Sequence, residues 1–118
     1  MTILLNFFGK ILNATLKSDL FQNIDVEVFK SKMTEPQHVV LDVRAIHEFD
    51  SGHIKGAKQI DYLSSEFKGK VLELDPKMTY LVYCRSGRRS ADACNIMADL
   101  GFEHLYNLEG GIIAWSKQ

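Results

Sequence analysis

A chain of 118 residues has room for one domain of ordinary size, and its 46% hydrophobic, 25% charged composition is that of a globular fold. With 14 basic and 15 acidic residues the net charge is −1, which excludes a global field that would draw the chain onto nucleic acid or an anionic membrane. Two cysteines, Cys84 and Cys94, are too few for a disulfide scaffold. Neither they nor the scattered His38, His47, His53 and His104 have metal-binding spacing, so no metal and no other cofactor is expected. Two free thiols fit a reducing, cytoplasmic compartment.

Residues 1–20 read as an apolar segment ahead of a domain spanning 21–118. Leu4, Leu5, Phe8, Leu12 and Leu16 recur at steps of three to four, the face of an amphipathic helix. No basic residue precedes the run, Asn6 interrupts it and no small-x-small site follows, so it is a poor secretory signal. Lys10 and Lys17 leave it too short to span a membrane. Such a helix would pack on its own domain or on a second copy, giving a homodimer. A processed, periplasmic or membrane-surface segment is the alternative.

Asp25 suits an N-cap for a helix reaching about Met33. Val39–Val43, a short, mostly β-branched run after Pro36, suits a strand buried on both faces. Ala45–Phe49 makes a helical turn, Gly52 and Gly56 punctuate a loop, and Ala57–Ile60 is a third strand. Leu63, Phe67, Val71 and Leu74 give Tyr62–Leu74 a helical spacing. A second buried strand, Tyr80–Cys84, follows Pro76, and Ser86-Gly87 turns the chain into a helix marked by Ala93, Ile96, Met97 and Leu100 and ended by Gly101. His104–Leu108 is a last strand, Gly110-Gly111 a break, and Ile112–Trp115 a terminal helical turn. Strands alternating with helices predict an α/β domain with a parallel sheet covered on both faces.

In such sheets ligands bind beyond the carboxyl ends of strands. Two ends carry chemistry-bearing residues: Asp42-Val43-Arg44, and Cys84-Arg85-Ser86-Gly87-Arg88-Arg89-Ser90. The second places a thiol at a strand end, then a small loop, then a helix N-terminus, where backbone N–H groups and the helix dipole favour an anion. A free cysteine is only about 3% thiolate at neutral pH. Lowering its pKa by ~2 units takes ~2.7 kcal/mol. A helix terminus supplies at best ~2 kcal/mol, so loop amides and at least one of Arg85, Arg88 and Arg89 are expected to contribute. A thiol ending a buried strand can be plain core packing, but a triply cationic, glycine-containing loop has no purpose around an inert one. Cys94, beside Met97 and Ala98, reads as core packing, with a resolving thiol as the alternative.

Leu41-Asp-Val-Arg44, Glu48-Phe49, Gly52-His-Ile54 with Gly56-Ala57, Val82 to Ser90, and Leu108-Glu-Gly-Gly-Ile112 with Trp115 together resemble the single-domain rhodanese (thiosulfate sulfurtransferase) family, from about Ile24 to Trp115. The resemblance implies a five-stranded parallel sheet with helices on both faces. It also implies a Cys84 that cycles between thiolate and persulfide, the backbone N–H groups of Arg85 to Arg89 cradling the sulfur. Asp42, Arg44 and Glu48 match positions that support that loop, although surface or helix-end ion pairing explains them equally well. His53 and Trp115 read as structural. Sulfane sulfur would pass from a small anionic donor such as thiosulfate, or from a persulfide, to cyanide, a thiol or a protein acceptor. A slower relay module docked to a partner is the second reading. A phosphatase or arsenate reductase is the third, disfavoured because Cys84 to Arg89 is Cys-x4-Arg, one residue tighter than the phosphatase-like Cys-x5-Arg. Ser86 stands where thiosulfate-specialised relatives often carry a second basic residue, which leaves the donor open.

Overall fold

The computed structural model describes residues 20–118, so the expected helix over the first segment lies outside the described residues. Within them, β1 (Gln22–Ile24), α1 (Val26–Lys32), β2 (His38–Asp42), α2 (Ile46–Ser51), β3 (Lys58–Gln59), α3 (Phe67–Val71), β4 (Thr79–Tyr83), α4 (Arg88–Asp99), β5 (Leu105–Leu108) and α5 (Gly111–Ser116) alternate along the chain. All five strands run parallel in the order β1-β5-β4-β2-β3, with β4 at the centre between β5 and β2. The α/β, five-stranded expectation is met.

Strand alternation divides the core in two. From β4, Tyr80, Val82 and then Cys84 face one layer, where Phe67 and Val71 of α3 and Ala93, Cys94 and Met97 of α4 complete the cluster. Leu81 and Tyr83 face the other layer, where they meet Phe29 of α1, Ile54, and Ile112 and Trp115 of α5. Both faces of β4 are therefore buried, as its unbroken apolar run predicts.

Two elements depart from the sequence pattern. β1 was not anticipated: Gln-Asn-Ile is too short and polar to read as a strand, and it exists because Gln22, Asn23 and Ile24 align with Tyr106, Asn107 and Leu108 of β5. The helix expected over Tyr62–Leu74 shrinks to Phe67–Val71. Ahead of it, the Asp61 carboxylate accepts the Leu63 N–H at 2.8 Å and the Ser64 hydroxyl accepts the Glu66 N–H at 3.1 Å, turns that compete with helical bonding. Leu63, counted in the helical stripe, is 73% exposed.

The cap at Asp25 forms as expected, Oδ1 accepting the Val28 N–H at 2.9 Å. Replacing Asp25 with Ala leaves that N–H without its cap and is expected to lower unfolding free energy by about 1 kcal/mol. The check is a shift in denaturant midpoint with an unchanged slope.

Candidate active site

Cys84 ends β4 and is 1% exposed. Its Sγ accepts the Gly87 N–H at 3.1 Å and the Ser90 hydroxyl at 3.3 Å. Gly87 sits at φ +99°, a conformation that L side chains rarely adopt. A side chain there would also press on the Leu108 carbonyl and the Gly110 amide. This turn brings the first residues of α4 beneath the sulfur. Burial alone would push the thiol up. The Ser90 hydroxyl, with the backbone N–H groups of Ser90, Gly87 and Ser86, more than offsets that and holds Cys84 below the ordinary cysteine value.

The sequence-predicted residues fall into three groups. Arg85 and Ser86 on the loop and Arg88 at the start of α4 are exposed, and Arg85 lines a cavity of about 470 Å³ with Arg44, Glu48, Ser51, Ile112, Ile113 and Ser116. Asp42 and Arg44 make a buried ion pair, Arg44 Nη2 to Asp42 Oδ2 at 2.6 Å, with Nε bridging both carboxylate oxygens. Arg44 also donates to the Gly52 carbonyl at 2.7 Å, and its own carbonyl accepts from Gln59 Nε2 at 2.7 Å. The third group spans two elements: Glu48 of α2 binds Arg89 of α4 through both carboxylate oxygens at 2.9 and 3.0 Å. The Ala45 N–H adds a bond to Glu48 at 3.2 Å, and together these hold its carboxyl at about 2.

That pairing changes the expected part played by the arginines. Arg89 is bonded to Glu48, which is the chief cause of its raised pKa, with the Cys84 charge a further cause. At the sulfur the largest single effect is burial, and the hydrogen bonds from the loop and Ser90 together outweigh it.

Residues 25–118 match the family described as rhodanese-like domain. The chain belongs to the rhodanese-like family. It is 31% identical over 99 residues to a sulfurtransferase of Allochromatium vinosum, covering 83% of this chain and 91% of that protein. It is 32% identical over 116 residues to thiosulfate sulfurtransferase 18 of Arabidopsis thaliana, covering 88% and 85%. Among solved structures, the rhodanese-like domain of an Anabaena sp. protein superposes with a TM-score of 0.73 at 30% identity, covering 80% of this chain and 73% of that one. Other curated relatives are longer, the chain spanning 20% of one and 50% of another. Family and relatives place the chain among sulfur-transfer proteins.

Three residues of this rhodanese-like domain were not singled out by the sequence reading as part of the site. In the sequence Ser90 stands out only as the end of a motif. Gly111, at φ +59°, packs so closely that a Cβ would lie 2.3 Å from the Arg85 carbonyl oxygen and 2.6 Å from that of Cys84. Those carbonyls accept the N–H groups of Ile112 and Ile113 at 2.9 and 3.2 Å. Asn107 of β5 donates from Nδ2 to the Gly87 carbonyl at 3.0 Å and to Asn23 Oδ1 at 2.9 Å. The available signals were the Gly110-Gly111 doublet and a polar residue inside the buried strand Leu105–Leu108. His53 stacks on Phe49 with ring centroids 3.7 Å apart, and Trp115 packs edge-on to Phe29. Cys94 is fully buried and burial drives its thiol upward. Among the described residues no helix is long and apolar enough to cross a membrane.

The Glu48–Arg89 pair carries a pH signature. Glu48 titrates at about 2 in the folded domain against ~4.3 in an unfolded chain. Its contribution is therefore complete above the unfolded value and lost as pH falls through the folded one. The pair is part-exposed, so water screens it and the effect is modest. Between pH ~5 and ~2, Glu48→Gln is expected to flatten the fall of melting temperature relative to wild type, as thermal melts in a pH series would show.

Proposed function

We propose that the domain is a sulfurtransferase in which Cys84 carries sulfane sulfur as a persulfide between a small anionic donor and a thiol or cyanide acceptor. The observation that carries this reading is the convergence of the Gly87 N–H and the Ser90 O–H on Sγ, which favours thiolate at a buried strand end. The thiolate attacks the donor's sulfane sulfur and releases the rest of the donor; the acceptor then attacks the outer sulfur and restores the thiolate.

Two observations support sulfur over phosphate. Only four residues separate Cys84 from Arg89. Glu48 also takes two of the five N–H donors of the Arg89 guanidinium through both carboxylate oxygens, which leaves it fewer to give a tetrahedral oxyanion. Donor recognition falls instead to Arg85 and Arg88. Both are exposed and, unlike Arg44 and Arg89, have no ion-pair partner among the described residues. Thiosulfate, a dianion, fits that local positive charge on an otherwise balanced chain.

Intact mass after incubation with thiosulfate is the direct test of the carrier. Wild type gains one sulfur atom that cyanide removes, Cys84→Ser gains none while remaining folded, and Cys94→Ser loads as wild type does. Loading of the Cys84 variant would overturn the assignment.

Steady-state kinetics test the donor. Arg85→Ala is expected to raise KM for thiosulfate several-fold while changing kcat little, because it removes binding common to ground and transition states. Added salt should weaken thiosulfate use in wild type and do so less in the variant. An unchanged KM with unchanged salt dependence would assign the donor site elsewhere, as a relay module facing a protein partner requires.

A further inference from the structure

Charge moves during sulfur transfer, and the buried and exposed sides of Cys84 are equipped differently for it. In the free enzyme the negative charge sits on Sγ. In the persulfide it sits on the outer sulfur, and Sγ becomes a neutral disulfide-type atom. The loop that would surround an outer sulfur has Arg85 and Ser86 open to solvent, whereas Ser90 is fully buried. The Ser90 hydroxyl's one hydrogen bond among the described residues is to Sγ. Ser90 belongs to the first turn of the 12-residue α4, and its buried hydroxyl is placed at Sγ and not at the solvent-open part of the loop.

We propose that Ser90 is a catalytic residue of the discharge half-reaction, its hydroxyl receiving the charge that returns to Sγ as the persulfide bond breaks. This rests on the reading that Cys84 carries the sulfur. In discharge to cyanide, the carbon lone pair forms a C–S bond to the outer sulfur. The S–S bond breaks, and its electron pair goes to Sγ, giving thiocyanate and the Cys84 thiolate. Two anions enter and two leave, and no proton or external electron is needed. Sγ is the leaving group, so a donor bonded to it stabilises the transition state more than the persulfide. Loading runs the other way. There Sγ is the nucleophile, and a hydrogen bond to it stabilises the starting thiolate while charge drains outward. Ser90 therefore raises the fraction of thiolate but does not speed its attack.

This asymmetry separates a chemical role from a structural one. The two half-reactions are followed separately in rapid-mixing experiments with thiosulfate as donor and cyanide as acceptor. Wild type and Ser90→Ala are compared at a pH above the thiol titration of each, fixed by its own alkylation profile. Expected for Ser90→Ala is a titration moved upward, loading at that pH equal to or faster than wild type, and discharge slowed about ten- to hundredfold. The second readout needs no absolute rate. During turnover with both substrates, intact mass should show Ser90→Ala shifted toward the sulfur-loaded form. Equal slowing of both halves with an unshifted partition would make Ser90 a packing residue, and unchanged discharge would also overturn the proposal. Wild type that fails to load sulfur removes the carrier reading and this inference with it. Wild type that loads at Cys84, beside a Ser90→Ala that discharges normally, overturns this inference alone.

Discussion

A peptide unit cannot turn its N–H toward an anion without turning its C=O somewhere else, and that constraint organises this end of the domain. The N–H of Gly87 points at the Cys84 sulfur, and those of Ser86 and Ser90 help hold it. The Arg85 carbonyl, which shares a peptide unit with the Ser86 N–H, must then be satisfied away from it, and so must the Cys84 carbonyl beside it, since buried backbone acceptors are rarely left unpaired. α5 supplies the partners through the Ile112 and Ile113 amides. The approach is close enough that Gly111 has no room for a Cβ. On the far side, Asn107 takes the Gly87 carbonyl. The last helix and β5 thus both supply donors to the carbonyls of a loop they do not belong to.

The buried Asp42–Arg44 pair has a related logic. Removing two charges from water costs several kcal/mol per ion, and attraction in the interior commonly does no more than offset it. Its value here is geometric. Arg44 fastens the end of β2 to the Gly52 carbonyl after α2, and Gln59 fastens the Arg44 carbonyl to β3. Tyr83 receives the Ile54 N–H in the same layer, its phenol kept protonated chiefly by burial. Because Tyr83 precedes Cys84, the network fixes the strand end from which the thiol projects. α2 contributes no buried residue of its own, so these polar links and the Glu48–Arg89 bridge do much to hold it.

What the sequence disclosed follows from the range of each interaction. The buried strands of β2 and β4, the Asp25 cap, the Gly101 stop and the Cys84 loop all have local signatures, since side-chain period, turn residues and capping operate within a few positions. What escaped is long-range. Glu48 and Arg89 lie 41 positions apart, and nothing local says that this arginine faces a carboxylate and not the sulfur. Asn107 reaches Gly87 across 20 positions and Asn23 across 84. β1 is a strand only because β5 is there to pair with it. The loss of helix ahead of Phe67 is the local exception: Asp61 and Ser64 are turn-forming residues, and the apolar spacing masked them.

The sheet's boundaries bear on how the domain can meet other proteins. Its two outer strands are β1, of three residues, and β3, of two. An edge recruits a further strand by presenting a row of unpaired backbone groups, and edges this short offer too few to template one. Among the described residues both rims are uncovered by neighbouring strands, and it is their shortness that discourages extension of the sheet. Among the described residues, the surface open to another chain, whether a second copy or a sulfur acceptor, is one of side chains on helices and loops. The loop surface around Arg85, Ile113 and Ser116 lies on that kind of face. Specificity for a partner can then change by surface substitution without touching the strand register that positions Cys84.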